Sequence, residues 1–145
     1  MADPDSKLTN ITDGKTYPYL FWEGAGDIPY ETPDRGFTVV SNELDSFFND
    51  KLEQLGLIKK EIMDFKEFWI PEMKKDGKPY YFVTFFSKQY FDDLAPLAVS
   101  PMPDTVIRVM MDYRGLDNFE EFAPIPLSAP ERKGFTVVEW GGMLK

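Results

Sequence analysis

Two short segments set an indole and a carboxylate beside glycine: Trp22-Glu23-Gly24 and, far along the chain, Glu139-Trp140-Gly141-Gly142. Indole faces stack on sugar rings and cations, and carboxylates accept hydrogen bonds from hydroxyl or ammonium groups. If the strands carrying them end at one edge of a sheet, just before flexible turns, the four side chains line a single groove. Glu23 and Glu139 are then also the makings of a glycan hydrolase, one the acid and the other the nucleophile or base. They would sit about 5 Å apart for retention and farther for inversion. The competing arrangement buries both indoles and leaves both glutamates wet, because successive strand residues face opposite ways. Arg108 is the remaining candidate. It lies on the polar face of a strand whose reverse is apolar, where it clamps an anionic ligand or pairs across the sheet with Glu139 or an acid near Asp112. Such a pair is expected at the surface and contributes about 0–1 kcal/mol.

The composition narrows the chemistry further. The 145 residues include 16 basic and 25 acidic side chains, a net charge of −9, and neither histidine nor cysteine. Ser-His-Asp and Cys-His nucleophiles are therefore excluded, and so are the usual zinc, haem and iron–sulfur ligand sets. A hard cation on carboxylates is the metal option left, but Asp92-Asp93 and Glu120-Glu121 are too short for a calcium loop. No cofactor and no metal are expected. Basic residues are dispersed, and the densest group, Lys74, Lys75 and Lys78, has Asp76 among them, so no nucleic-acid partner is expected. No apolar run approaches the roughly 20 residues of a membrane helix. The start, Met1-Ala2-Asp3-Pro4-Asp5, is polar, so no secretory signal is expected there. Asn10-Ile11-Thr12 matches a glycosylation acceptor.

The candidate residues must be positioned by the elements between them. At this length one domain, residues 1–145, is expected, with 1–15 a polar, turn-rich segment around Asp13-Gly14. Aromatic density predicts a strand from Tyr17 to Gly24 with Pro18 near its start, and a loop from Gly24 to Gly36. Phe37–Val40 is a short strand by its β-branched content. Leu44, Phe47, Phe48, Leu52 and Leu55 recur at helical spacing, with Ser41 or Asn42 as cap and Gly56 as stop. Ile58, Ile62, Phe65 and Trp69 stripe a second helix that Pro71 disrupts near its last turn. Tyr80–Phe86 is apolar throughout, as a central strand is.

A brief helix, Lys88 to Leu97, is stopped by Pro96. Thr105–Tyr113 is a strand with Ile107, Val109, Met111 and Tyr113 on its core face. Residues 117–132 cross with little regular structure, and a last strand runs through Gly134–Trp140. Gly36-Phe37-Thr38-Val39-Val40 recurs as Gly134-Phe135-Thr136-Val137-Val138, read as shared strand vocabulary rather than a repeat. The aromatic set Phe47, Phe48, Phe65, Phe68 and Trp69 is core packing; Phe48 and Phe68 instead exposed would mark a partner or self-association surface. The class expected is α+β, a mostly antiparallel sheet of about five strands with a helical hairpin inserted between strands two and three.

Tyr19-Leu20-Phe21-Trp22-Glu23-Gly24, Phe68-Trp69-Ile70-Pro71-Glu72-Met73, Ala95-Pro96-Leu97, Pro103–Val109 and Glu131–Gly142 together resemble the C-terminal part of an uncharacterised family of bacterial proteins. The resemblance spans about residues 8–143. The family's longer members carry an upstream strand reading roughly Lys-Pro-Val-Ile-Tyr-Leu-Tyr-Pro, and many look like lipoproteins or secreted proteins. The resemblance implies no activity, only a place in the cell envelope or exterior. The expectation is therefore a non-enzymatic binding or structural module with a protein or glycan ligand, the alternative being the hydrolase on Glu23 and Glu139.

Overall fold

The computed structural model describes residues 1–3, 7–24 and 33–145, which fall into two compact units, Met1–Tyr30 and Glu31–Lys145. In the first, β1 (Leu8–Thr9) and β2 (Thr16–Tyr17) pair antiparallel. The turn between them contains Gly14 at φ +70°, a conformation glycine adopts without steric cost, and the Gly14 N–H bonds the Asn10 carbonyl at 2.8 Å. The strand predicted over Tyr17–Gly24 does not form. Pro18 offers no N–H to a ladder, and pairing ends at Tyr17. Most of the predicted loop, residues 25–32, lies outside the described residues.

The second unit holds a four-stranded mixed sheet in the order β3 (Phe37–Val40), β4 (Tyr80–Phe85), β5 (Thr105–Leu116), β6 (Thr136–Gly142). Helices α1 (Leu44–Gln54) and α2 (Lys59–Met73) form a hairpin joining β3 to β4, and α3 (Lys88–Leu94) joins β4 to β5. The α+β class stands, but the topology differs from the five-stranded, mostly antiparallel sheet expected from sequence. The helical hairpin lies between the first two strands of the main sheet. The last pair, β5–β6, is parallel, because residues 117–135 carry the chain back to the end of the sheet where β5 began. A parallel pair needs a crossover of a dozen residues or more, which that segment supplies.

Two helix boundaries also depart from expectation. A 3₁₀ turn, Ser41–Glu43, leads into α1, and no side-chain oxygen caps either. Pro71 lies inside α2, which runs two residues further to bury Met73. Continuing past Pro71 keeps the Met73 side chain in the core, where it is 1% exposed. Gly141 and Gly142, expected in a turn, belong to β6. A Cβ on Gly142 would stand 2.9 Å from the Trp69 ring, so glycine there lets α2 pack down on the strand.

The core lies between the helical hairpin and the sheet. Leu44, Phe48, Leu52 and Phe65 are wholly buried there against Val83 and Met111. Phe48, one of the two aromatics considered for a partner surface, is thus interior, whereas Phe68 is 40% exposed. Arg132 fastens the crossing segment to the helices. Its Nε and Nη2 donate to the Gly56 carbonyl at 3.0 and 2.8 Å, and Glu61 receives its Nη1 at 3.2 Å and its Nη2 as well. Glu61 also accepts the Ile58 N–H at 2.9 Å, capping α2. Among the described residues, no helix is long and apolar enough to cross a membrane. Phe65→Ala, which removes a ring from a site with no exposed surface, is expected to lower unfolding free energy by about 3–5 kcal/mol in urea titration.

Candidate functional site

β5 presents Arg108 on the sheet face away from the helical hairpin, since Ile107 and Val109 occupy the core side. The parallel register places Glu139 of β6 directly beside it. Ser87 starts α3 by accepting the Tyr90 N–H at 3.2 Å. That helix brings Phe91 beneath the guanidinium, whose carbon stands 4.0 Å from the ring centroid. Nε then donates to Glu139 Oε2 at 2.5 Å, Nη1 to Asp92 Oδ1 at 2.8 Å, and Nη2 to the Ala95 carbonyl at 2.7 Å. Asp92 also receives Lys88 one turn earlier.

The pairing of Arg108 with Glu139 anticipated from sequence is present, but not at the surface: the Arg108 side chain is 2% exposed and that of Glu139 14%. Burial favours a neutral guanidine, yet the bonds to Glu139 and Asp92 hold its pKa above the usual range. Lys88 first, and Arg108 second, hold the Asp92 carboxyl below its ordinary value of 3.8. Two cations and two carboxylates are thus closed on each other. An incoming anion would have to displace both acids to reach Arg108.

Trp140 is half-buried and packs against the hydrophobic core, its ring 5.7 Å from Phe65. Trp22 and Glu23 belong to the first unit, where both are exposed. The structure therefore brings Arg108, Glu139 and Trp140 together on one strand pair, with Trp22 and Glu23 in the other unit. Sequence reading missed Phe91, Asp92 and Ala95 as partners of Arg108. The available signal was the Ser87 cap with Lys88 and Asp92 four apart, which fixes α3 and the side it shows. Among the described residues, no three acidic side chains converge as a cation site would require.

A second feature is the run after β2. Leu20, Phe21 and Trp22 are 77%, 67% and 54% exposed, and Tyr19 41%. Contiguous apolar exposure of this kind marks interaction surfaces. No family model matches the chain, and neither a curated protein nor a solved structure matches it.

Replacing Glu139 by Gln leaves a buried cation with one carboxylate instead of two. The expected loss is about 3 kcal/mol in urea titration; a loss below about 0.5 kcal/mol would place the pair among ordinary surface ion pairs. Asp92 has its own signature. Its depressed folded pKa means that the unfolded chain binds the proton first as pH falls. Its stabilisation is present in full above about pH 5 and is lost progressively as the pH falls through the lowered folded value. Asp92→Asn is expected to flatten the acid limb of the stability–pH curve and leave its neutral limb parallel to wild type.

Proposed function

We propose that this chain is a non-enzymatic binding or structural module of a bacterial envelope or secreted protein, with the Leu20–Trp22 surface as its contact for a protein or glycan ligand. The observation that carries the reading is the consecutive exposure of Leu20, Phe21 and Trp22. Phe and Leu offer apolar area, and an indole face takes a sugar ring or an apolar side chain equally well. The envelope or exterior setting rests on the motif resemblance alone. A glycan hydrolase on Glu23 and Glu139 has less behind it, because Glu139 spends an oxygen on Arg108 at 2.5 Å and a catalytic acid needs its proton or its lone pairs available.

A thermal-shift panel of soluble glycans and peptides tests the proposal. A ligand at 100 times its dissociation constant adds about 2.7 kcal/mol to native stability. The shift is expected to vanish in a Phe21→Ser, Trp22→Ser double variant whose far-UV circular dichroism is unchanged. A panel without any shift, or a shift that the double variant retains, sinks this assignment of the surface.

A further inference from the structure

The exposed run after β2 lies between opposite charges. Lys15 precedes it and Glu23 follows it, and the residues between them, Thr16-Tyr17-Pro18-Tyr19-Leu20-Phe21-Trp22, carry none. Its cationic end is fastened to the β1–β2 hairpin. The Lys15 N–H donates to Asp13 Oδ1 at 2.9 Å, the Lys15 carbonyl accepts the Asn10 N–H at 2.8 Å, and Tyr17 pairs with Leu8. The Lys15 and Glu23 side chains are both exposed, and neither has an ion-pair partner among the described residues.

A segment with a cation at one end and an anion at the other is complementary to itself when two copies run in opposite directions. Around a two-fold axis, residue i of one copy meets residue j of the other, and j meets i. Two such runs laid antiparallel set Lys15 of each copy against Glu23 of the other, twice over. A parallel alignment would instead set lysine on lysine and glutamate on glutamate. Between the charged ends the apolar side chains meet their own kind, and aromatic rings pair well edge to face or offset.

The area agrees with a contact of this sort. At the exposures found for Tyr19, Leu20, Phe21 and Trp22, covering all four removes roughly 400–500 Å² per copy from water, or about 900 Å² for the pair. Standard stable interfaces bury about 1,200–2,000 Å². The contact is therefore that of a reversible dimer, with a dissociation constant on the order of 10–100 µM. A neutral glycan would cover the same rings but leave both end charges unanswered.

We propose that this run is a self-recognition surface: two copies of the chain associate through antiparallel runs, covering Tyr19, Leu20, Phe21 and Trp22 between two reciprocal Lys15–Glu23 ion pairs. This rests on the reading of the Leu20–Trp22 surface as a protein contact and names its partner as the same chain.

Sedimentation equilibrium of the full chain from about 5 to about 500 µM, at low ionic strength where exposed charges are least screened, is the test. The weight-average mass is expected to climb from that of one copy towards that of two. Lys15→Glu and Glu23→Lys proteins should each associate about tenfold more weakly, two attractions having become two repulsions. An equimolar mixture of the two variants should recover wild-type affinity or better, because every acid then faces a base. Glu23→Lys also brings the net charge of −9 two units nearer zero, so relief of general repulsion alone would strengthen association there. A chain that stays monomeric at the highest concentration overturns the proposal. So does either single variant associating like wild type, or a mixture no tighter than its components. A monomer that a glycan or peptide still stabilises through Phe21 and Trp22 keeps the contact surface and loses the second copy as its occupant.

Discussion

A full positive charge inside an acidic protein must be neutralised where it lies, and the Arg108 side chain is 2% exposed. Leaving such a group unpaired costs several kcal/mol, far more than the usual surface ion pair contributes. The neighbours of Arg108 are accordingly constrained. Glu139 must stand beside it, which selects one register for β6 against β5, since a slip of one residue would carry Glu139 to the helix side and Trp140 to the arginine. Asp92 and the Ala95 carbonyl must reach it from α3, which fixes where that short helix crosses the sheet. Phe91 then fills the space beneath the guanidinium. The helical hairpin covers one sheet face by apolar packing alone, while the other is organised around this charge. Because its carboxylates are committed to Arg108 and Lys88, the cluster specifies structure rather than offering reactive groups.

Residues governed by their own periodicity were legible in the sequence. The stripes of α1 and α2, the continuous apolar run of β4 and the core face of β5 follow from spacing, since one packed face per element leaves few alternatives. Strand direction was not legible. Phe37-Thr38-Val39-Val40 and Phe135-Thr136-Val137-Val138 are identical, yet the first lies in β3, antiparallel to β4, and the second leads into β6, parallel to β5. What differs is the connection. A compact helical hairpin returns β3 beside its successor, and the irregular segment 117–135 returns the chain to the far end of β5. A stretch so rich in Pro and carboxylates has no period from which its path can be read. For the same reason the Arg132 bonds to Gly56 and Glu61, which pin that path, have no local signature. The burial of Arg108 was hidden likewise, because a lone arginine among apolar residues reads as polar-face-out until a covering helix is placed.

Aromatic residues are used in opposite ways by the two units. In Glu31–Lys145 the rings meet edge to face or tilted, Phe48 on Phe65 at 5.3 Å and Phe82 on Phe122 at 4.5 Å, and the inner ones are fully covered. In Met1–Tyr30 the run after Pro18 stays largely in solvent. Two two-residue strands bury too little to recruit it, and Pro18 removes the donor that would let it extend β2. Exposed Leu, Phe and Trp in succession carry a standing cost in water. A segment that keeps them there without a fold of its own has the composition of a contact surface.

Charge and backbone meet again at the two ends of the β5–β6 ladder. At its start, Asp104 accepts the Phe135 N–H at 2.7 Å and crowds Gly134, which sits at φ +55° with no room for a side chain. At its finish, Asp112 accepts the Tyr113 N–H while Lys145 neutralises it. A carboxylate therefore closes the parallel pairing at both ends, by accepting a backbone N–H for which no strand partner supplies an acceptor. The closure at Asp112 satisfies one group and stops there. Beyond it β5 continues against β4, which buries Tyr113 and Leu116. β5 runs five residues beyond its last pair with β6. β4 pairs that extension along one side and Asp112 takes the Tyr113 N–H on the other, so pairing with β4 and burial of Tyr113 and Leu116 carry the strand past the end of β6.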